Sequence, residues 1–188
     1  MYSLRTERQK RLITSFNPLF LVGLIFVLMI LRTTSESLFP DTFRRWDLLL
    51  PVAVYLGQRR DFLEGAVLVF ILAHLYTLCS VAPAGVFILQ YGFIFLAAKG
   101  LLKFIFANNW SSVFGLTLFL SFVSRFTLPL ISRVFEHGWP VFSLGNLMIL
   151  NVFTNAFAGI VLYYLLSRLD RFTHKVAPAE IQLAEGNL

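Results

Sequence analysis

From Leu12 to Leu166 the chain alternates long apolar blocks with very short polar gaps, and the block lengths are best measured against a bilayer. A spanning helix needs about 20 mostly apolar residues. Blocks 12–31, 63–81, 85–106, 112–131 and 141–166 meet that requirement, the last with residues to spare, so that it must tilt or project. Asn17 and Pro18 fall in the first turns of the first block, where a missing intrahelical N–H is tolerated. Lys99 and Lys103 lie near the end of their block and can snorkel to the headgroups. The exception is block 46–58. Its apolar heart, Leu48 to Gly57, is about ten residues long and contains Pro51, too short for a straight helix to cross about 30 Å of hydrocarbon. Trp46 and Tyr55 stand near its two ends as interfacial anchors would, which favours a short crossing shielded by neighbouring helices over a re-entrant segment. The pattern predicts an all-α, polytopic integral membrane protein of about six transmembrane helices over residues 12–175. A basic stretch, 1–11, precedes it, and a short disordered tail, 177–188, follows.

Composition agrees. Of 188 residues, 57% are hydrophobic and 14% charged, and the 21 phenylalanines exceed what a soluble core of this size would bury, whereas lipid accepts them on helix exteriors. The net charge of +6 comes from basic residues scattered at block edges without a continuous patch, a pattern that argues against nucleic acid as a partner. Six crossings put both termini on one side. With that side cytoplasmic, eleven basic residues lie inside (Arg5, Arg8, Lys10, Arg11, Arg59, Arg60, Lys99, Lys103, Arg168, Arg171, Lys175) against four outside (Arg32, Arg44, Arg45, Arg133). The basic N-terminus followed by an apolar run has the layout of a signal peptide, but without a small-x-small cleavage site it reads as an uncleaved first helix. The sequon Asn109-Trp110-Ser111 falls on the cytoplasmic side and is incidental. Cys79, the single cysteine, is expected to pack as a small apolar residue.

Candidate chemistry is sparse. Arg125 is the only strong case of an intramembrane ionisable residue, and Thr117, Ser121 and Arg125 recur at i, i+4 and i+8 as a polar stripe. Either Arg125 snorkels past Pro129 or bonds backbone carbonyls, or it contacts a partner helix or an anionic group. In the last block Asn151, Asn155 and Gly159 share a face with Thr154 and Ala158, a composition suited to helix packing, internal or with a partner. His74 has no His, Cys or carboxylate at i+3 or i+4, so it is expected to be a hydrogen-bonded core or interface histidine rather than a metal ligand. Asp47, Asp61, Glu64 and Asp170 all fall at block edges, leaving no acid within a spanning core for hydrolysis, proton relay or metal-held phosphoryl transfer. No Ser/His/Asp set, CxxC pair or Gly-rich phosphate loop is present either. The blocks argue against an enzyme and against a cofactor.

Several local patterns together resemble the MreD family, small integral membrane proteins of the bacterial rod-shape system, over about Trp46 to Lys175. They are Asp47-Leu48-Leu49-Leu50-Pro51 running to Tyr55 and Arg59-Arg60, Gly65 opening a long helix, the turn Pro83-Ala84-Gly85, and a last helix carrying Asn155 into Arg168-Leu169-Asp170-Arg171. There is one departure. Family members often carry an acid about six positions before the Pro-x-Gly turn, where this chain has Thr77. The resemblance implies a non-catalytic inner-membrane scaffold that binds the bitopic protein MreC. It would help couple MreB filaments to the glycosyltransferase and transpeptidase of the elongasome, the machinery of peptidoglycan synthesis in elongating cells. It also implies a fold similar to the substrate-binding component of energy-coupling-factor transporters. That likeness supplies the alternative function, a small-molecule binding subunit of a transporter. Such subunits tend to carry Ala-x-x-x-Ala in the first helix, and block 12–31 has no alanine. A channel former would need a continuous polar lining, which only the last two blocks offer.

Overall fold

In a computed structural model, residues 2–38, 47–80, 83–101, 110–135, 146–173 and 175 are described. Within them lie six α-helices: α1 (Tyr2–Leu38), α2 (Leu49–Arg59), α3 (Phe62–Leu78), α4 (Ala84–Leu101), α5 (Trp110–Phe135) and α6 (Asn146–Phe172). Among the described residues there is no β-strand. Three segments are long and apolar enough to cross a membrane, Thr14–Thr34, Trp110–Phe135 and Ile149–Phe172, and Phe62–Leu78 and Gly85–Leu101 are shorter apolar helices.

The short helix is the centre of the fold. Every residue of α2 from Leu49 to Gln58 is buried, and α2 packs on each of the other five helices. A helix buried all round needs no amphipathic pattern, which explains its uninterrupted apolar run. Pro51 is tolerated because it occupies the first turn, where the N–H has no intrahelical acceptor. Two of the other first-turn donors, Leu49 and Leu50 N–H, bond Asp47 Oδ1 at 3.3 and 3.2 Å. Gly57 brings α2 close to α4, since a Cβ there would lie 2.8 Å from Ala98 Cβ and 3.0 Å from the Phe95 carbonyl. Consecutive helices α3 to α6 pack side by side around it, and α1 rests on α3 and α2.

Large apolar side chains point outward along the perimeter, among them Phe16, Phe20, Phe26, Phe122, Phe126, Phe157 and Leu165. Leu21, Ile25, Leu56, Leu72, Ile94, Leu120 and Leu166 fill the interior with α2. A soluble protein would not leave so many aromatic rings uncovered; a bilayer covers them.

The helices differ from the sequence blocks at their ends. Helix α1 begins at Tyr2, well before block 12–31, so Pro18 lies in its interior and the Thr14 carbonyl loses its i+4 donor. Helix α6 runs on through Phe172 and takes Arg168, Asp170 and Arg171 into the helix, because its inward face continues past Leu166. Block ends at 102–106, Val81 and 141–145, the anchor Trp46 and the tail 177–188 lie outside the described residues.

Candidate functional site: two polar clusters at the ends of the central helix

The N-terminal half of α1, at Thr14 and Asn17, and the C-terminal end of α6 meet at the C-terminal end of α2, which defines a terminal end of the bundle; the opposite end is distal. At the terminal end the turn after α2 inserts Arg60 into the interior, 1% exposed. Its Nη2 donates to Asp170 Oδ1 and, at 2.8 Å, to Asn17 Oδ1. Asn17 Nδ2 donates to Asp170 Oδ1 at 3.0 Å and to Thr173 Oγ1. The Tyr55 hydroxyl donates to Asp170 Oδ2. One carboxylate thus ties together α1, α2, the α2–α3 turn and α6. Around it, Arg60 Nε lies 3.7 Å from Glu64 Oε1, Lys175 Nζ bonds Glu64 Oε2 at 2.8 Å, and Lys99 Nζ donates to the Arg60 carbonyl. Thr14 Oγ1 donates to the Thr173 carbonyl at 3.0 Å, and the Arg59 guanidinium donates to the Tyr163 hydroxyl at 2.8 Å.

The structure corrects five expectations. Tyr55 is no interfacial anchor: it is 1% exposed with its hydroxyl on a carboxylate. Arg60 is not a solvated loop charge: it is 1% exposed and paired with Asp170. Asp170 lies inside a buried network rather than at a wet edge, being 8% exposed on the inward face of α6. Cys79 is exposed at the end of α3. His74 is likewise exposed, stacked on Phe70 with ring centroids 6.2 Å apart.

The distal cluster surrounds the start of α2. Besides capping α2, Asp47 Oδ1 accepts from the Tyr91 hydroxyl at 2.7 Å, and the Asp47 N–H donates to Asn155 Oδ1 at 3.2 Å. Asn155 is nine residues into α6, about 14 Å along it from Asn146 at 1.5 Å per residue, so α2 starts well below the distal end of α6. This accounts for its shortness and places Asp47 deeper than an edge acid. Tyr91, Tyr76 and Phe87 form an aromatic wall, with Tyr76 edge-on to Phe87 at 4.1 Å and to Tyr91 at 5.6 Å, and the Arg32 guanidinium lies 4.1 Å over the Tyr76 ring.

The predicted stripes of α5 and α6 face each other. Thr117, Ser121, Asn151, Asn155 and Gly159 are all buried, and a Cβ on Gly159 would lie 2.8 Å from Thr117 Cγ2. Arg125 is only half-buried; Ser124 takes the third inward place. The reason is angular: at 100° per residue, position 124 returns to within about 20° of Thr117, and position 125 drifts by about 80°. Ser124 and Thr127 connect to α4 through Gln90, whose Nε2 donates to the Ser124 carbonyl at 3.4 Å and whose Oε1 accepts from Thr127 Oγ1 at 2.9 Å.

Of the remaining positions that carry the resemblance, Gly65 and Gly85 are contact points: an added Cβ would come within 2.6 Å of Phe95 and of Phe135, respectively. The Pro83 carbonyl accepts from Val86 N–H at 3.1 Å at the start of α4, and Arg168 and Arg171 are exposed on α6 on either side of Asp170. Asn17, Gln90, Tyr91 and Thr173 were not singled out by sequence as site residues. Asn17 was legible as an amide in an apolar block on the same face as Leu21 and Ile25. Among the described residues no three of His, Cys, Asp and Glu gather as metal ligands. Comparison with known protein families, curated proteins and solved structures finds no match to the chain.

Proposed function

We propose that this chain is a non-catalytic membrane scaffold of the machinery that elongates the bacterial cell wall, the role that the resemblance to MreD implies. In this reading all six helices lie across the inner membrane with both termini cytoplasmic, in a fold like that of the transporter substrate-binding components. A bitopic protein of the MreC type binds its perimeter, and through that protein it helps couple MreB filaments to the glycosyltransferase and transpeptidase.

The observation that carries the proposal is how the polar residues behind the resemblance are spent. Asp47, Tyr55, Arg60 and Asp170 bond other helices or the ends of α2, as rigid packing requires, and Gly65 and Gly85 sit at close contacts. The perimeter left to partners is apolar and rich in phenylalanine, a surface that a transmembrane helix can cover as well as lipid can. Buried polar ties of this kind fix one arrangement of helices, and a platform for assembly needs that property.

Affinity purification of the tagged chain from native membranes, with quantitative mass spectrometry, tests the proposal. Enrichment of a single-pass protein of the MreC type is expected. Enrichment of transporter ATPases in its place would overturn the scaffold reading in favour of a transporter subunit.

A further inference from the structure

We propose that the outward face of α3 is the interface on which two copies of this chain pair in the membrane, with His74 of one copy hydrogen-bonded to its counterpart in the other. His74 is exposed on the perimeter, and the Phe70 ring stacks on its imidazole at an interplanar angle of 6°. Neither ring nitrogen has a hydrogen-bond partner among the described residues. The residue lies about 18 Å along α3 from Phe62 at 1.5 Å per residue, so with α3 across the membrane it stands within hydrocarbon about 30 Å thick. Lipid tails cover a phenylalanine well but offer an imidazole no bond, so this position calls for a protein partner.

The face around it is laid out for a helix. Leu63, Val67, Phe70 and His74 are all exposed at spacings of four, three and four, the 3.5-residue repeat by which helices pack in a left-handed parallel pair. In that repeat Val67 and His74 occupy equivalent positions, and in an in-register pair each meets its own counterpart across the axis. A β-branched residue at such a position favours two strands, and a single polar residue among them fixes the register.

Three features select a second copy as the occupant. Copies inserted in the same direction set α3 parallel to α3 about a two-fold axis along the membrane normal, so His74 returns at the same depth. An imidazole carries an N–H donor and an acceptor nitrogen, so one ring donates to the other without help from a different group. Other faces do not suit this symmetry. On α6 the outward row Val161, Tyr164, Arg168 and Arg171 would set arginine against arginine, and on α5 Phe119, Phe122 and Phe126 need only lipid.

The test is energy transfer between donor-labelled and acceptor-labelled full chains in phospholipid vesicles, diluted with lipid to separate pairing from chance proximity. Saturable pairing is expected, retained by His74→Asn, which keeps a donor and an acceptor. His74→Leu should weaken it about threefold or more, the size of an interhelical hydrogen bond in a bilayer. Because His74 bonds nothing within its own chain, both variants should keep the wild-type melting temperature. In a Cys79→Ser chain, oxidation of the membranes should link copies through Val67→Cys and not through Phe157→Cys on α6. Transfer no greater than chance, pairing that His74→Leu leaves unchanged, or linkage through residue 157 in place of residue 67 overturns the proposal. So does linkage of residue 67 to a different protein in place of a second copy. The inference rests on the transmembrane placement of α3, whereas the scaffold assignment is read by capture of a different protein, so the two can fail separately.

Discussion

Asp170 stands next to one exposed arginine and two residues from another, yet its own side chain is buried and takes hydrogen bonds from three residues on other helices and turns. Charge removal on one side only should therefore be severe. Asp170→Asn leaves Arg60 buried without its closest counter-charge and is expected to cost about 3–5 kcal/mol in unfolding experiments on the purified protein. The double variant Arg60→Met/Asp170→Leu should recover much of that loss, because two apolar groups leave no orphaned charge. Additive losses in the double variant would show that the pair is not coupled. Tyr55→Phe removes one bond to the same carboxylate and should cost about 1.5–3 kcal/mol by the same assay. The burial of Asp170 was legible in part. Residues 155, 159, 162 and 166 define an inward face that returns at 170, but treating the helix as ended at 166 hid the acid among its basic neighbours. The burial of Arg60 was not legible, since nothing local distinguishes it from Arg59; only the partner waiting on α6, 110 residues away, does.

At the scale of elements, the block that was too short to span turned out to be the core of the fold. Its length already set it apart, but period and propensity cannot tell a helix surrounded by protein from one surrounded by lipid, because both are apolar on every face. Its partner ring depends on close contacts, and the α5–α6 pair offers a sharp check. Gly159→Ala should destabilise by about 1–3 kcal/mol through collision with Thr117, and Thr117→Ala in the same chain should restore most of the loss by removing the two nearest atoms. Thermal unfolding in detergent reads both; failure of the second substitution to rescue the first would mean that the helices meet elsewhere. The facing stripes of these helices were visible in sequence as spaced polar residues. Two i+4 steps from Thr117 lead to Arg125, which is half-buried, and the third inward place belongs to Ser124 because those two steps drift by about 80°.

For the molecule as a whole, an apolar perimeter rich in phenylalanine encloses a core that is itself mostly apolar, and a bilayer is the solvent that covers such a surface. The topology has a convenient internal reporter. Cys79 is the single cysteine and is exposed at the distal end of α3, away from the termini. A membrane-impermeant thiol reagent applied to intact spheroplasts should label it, and a cysteine placed at residue 2 in a Cys79→Ser chain should label only after permeabilisation. The opposite pattern would reverse the orientation derived from the basic residues. The central claim is that this tied bundle serves as a platform for a bitopic partner. The most direct measurement is light scattering on size-exclusion chromatography of the chain co-expressed with the MreC-type protein of the same genome and solubilised in mild detergent. The account predicts co-elution in a complex of defined stoichiometry that persists on dilution to micromolar concentration, and separate elution of the two proteins with the bundle still folded would contradict it.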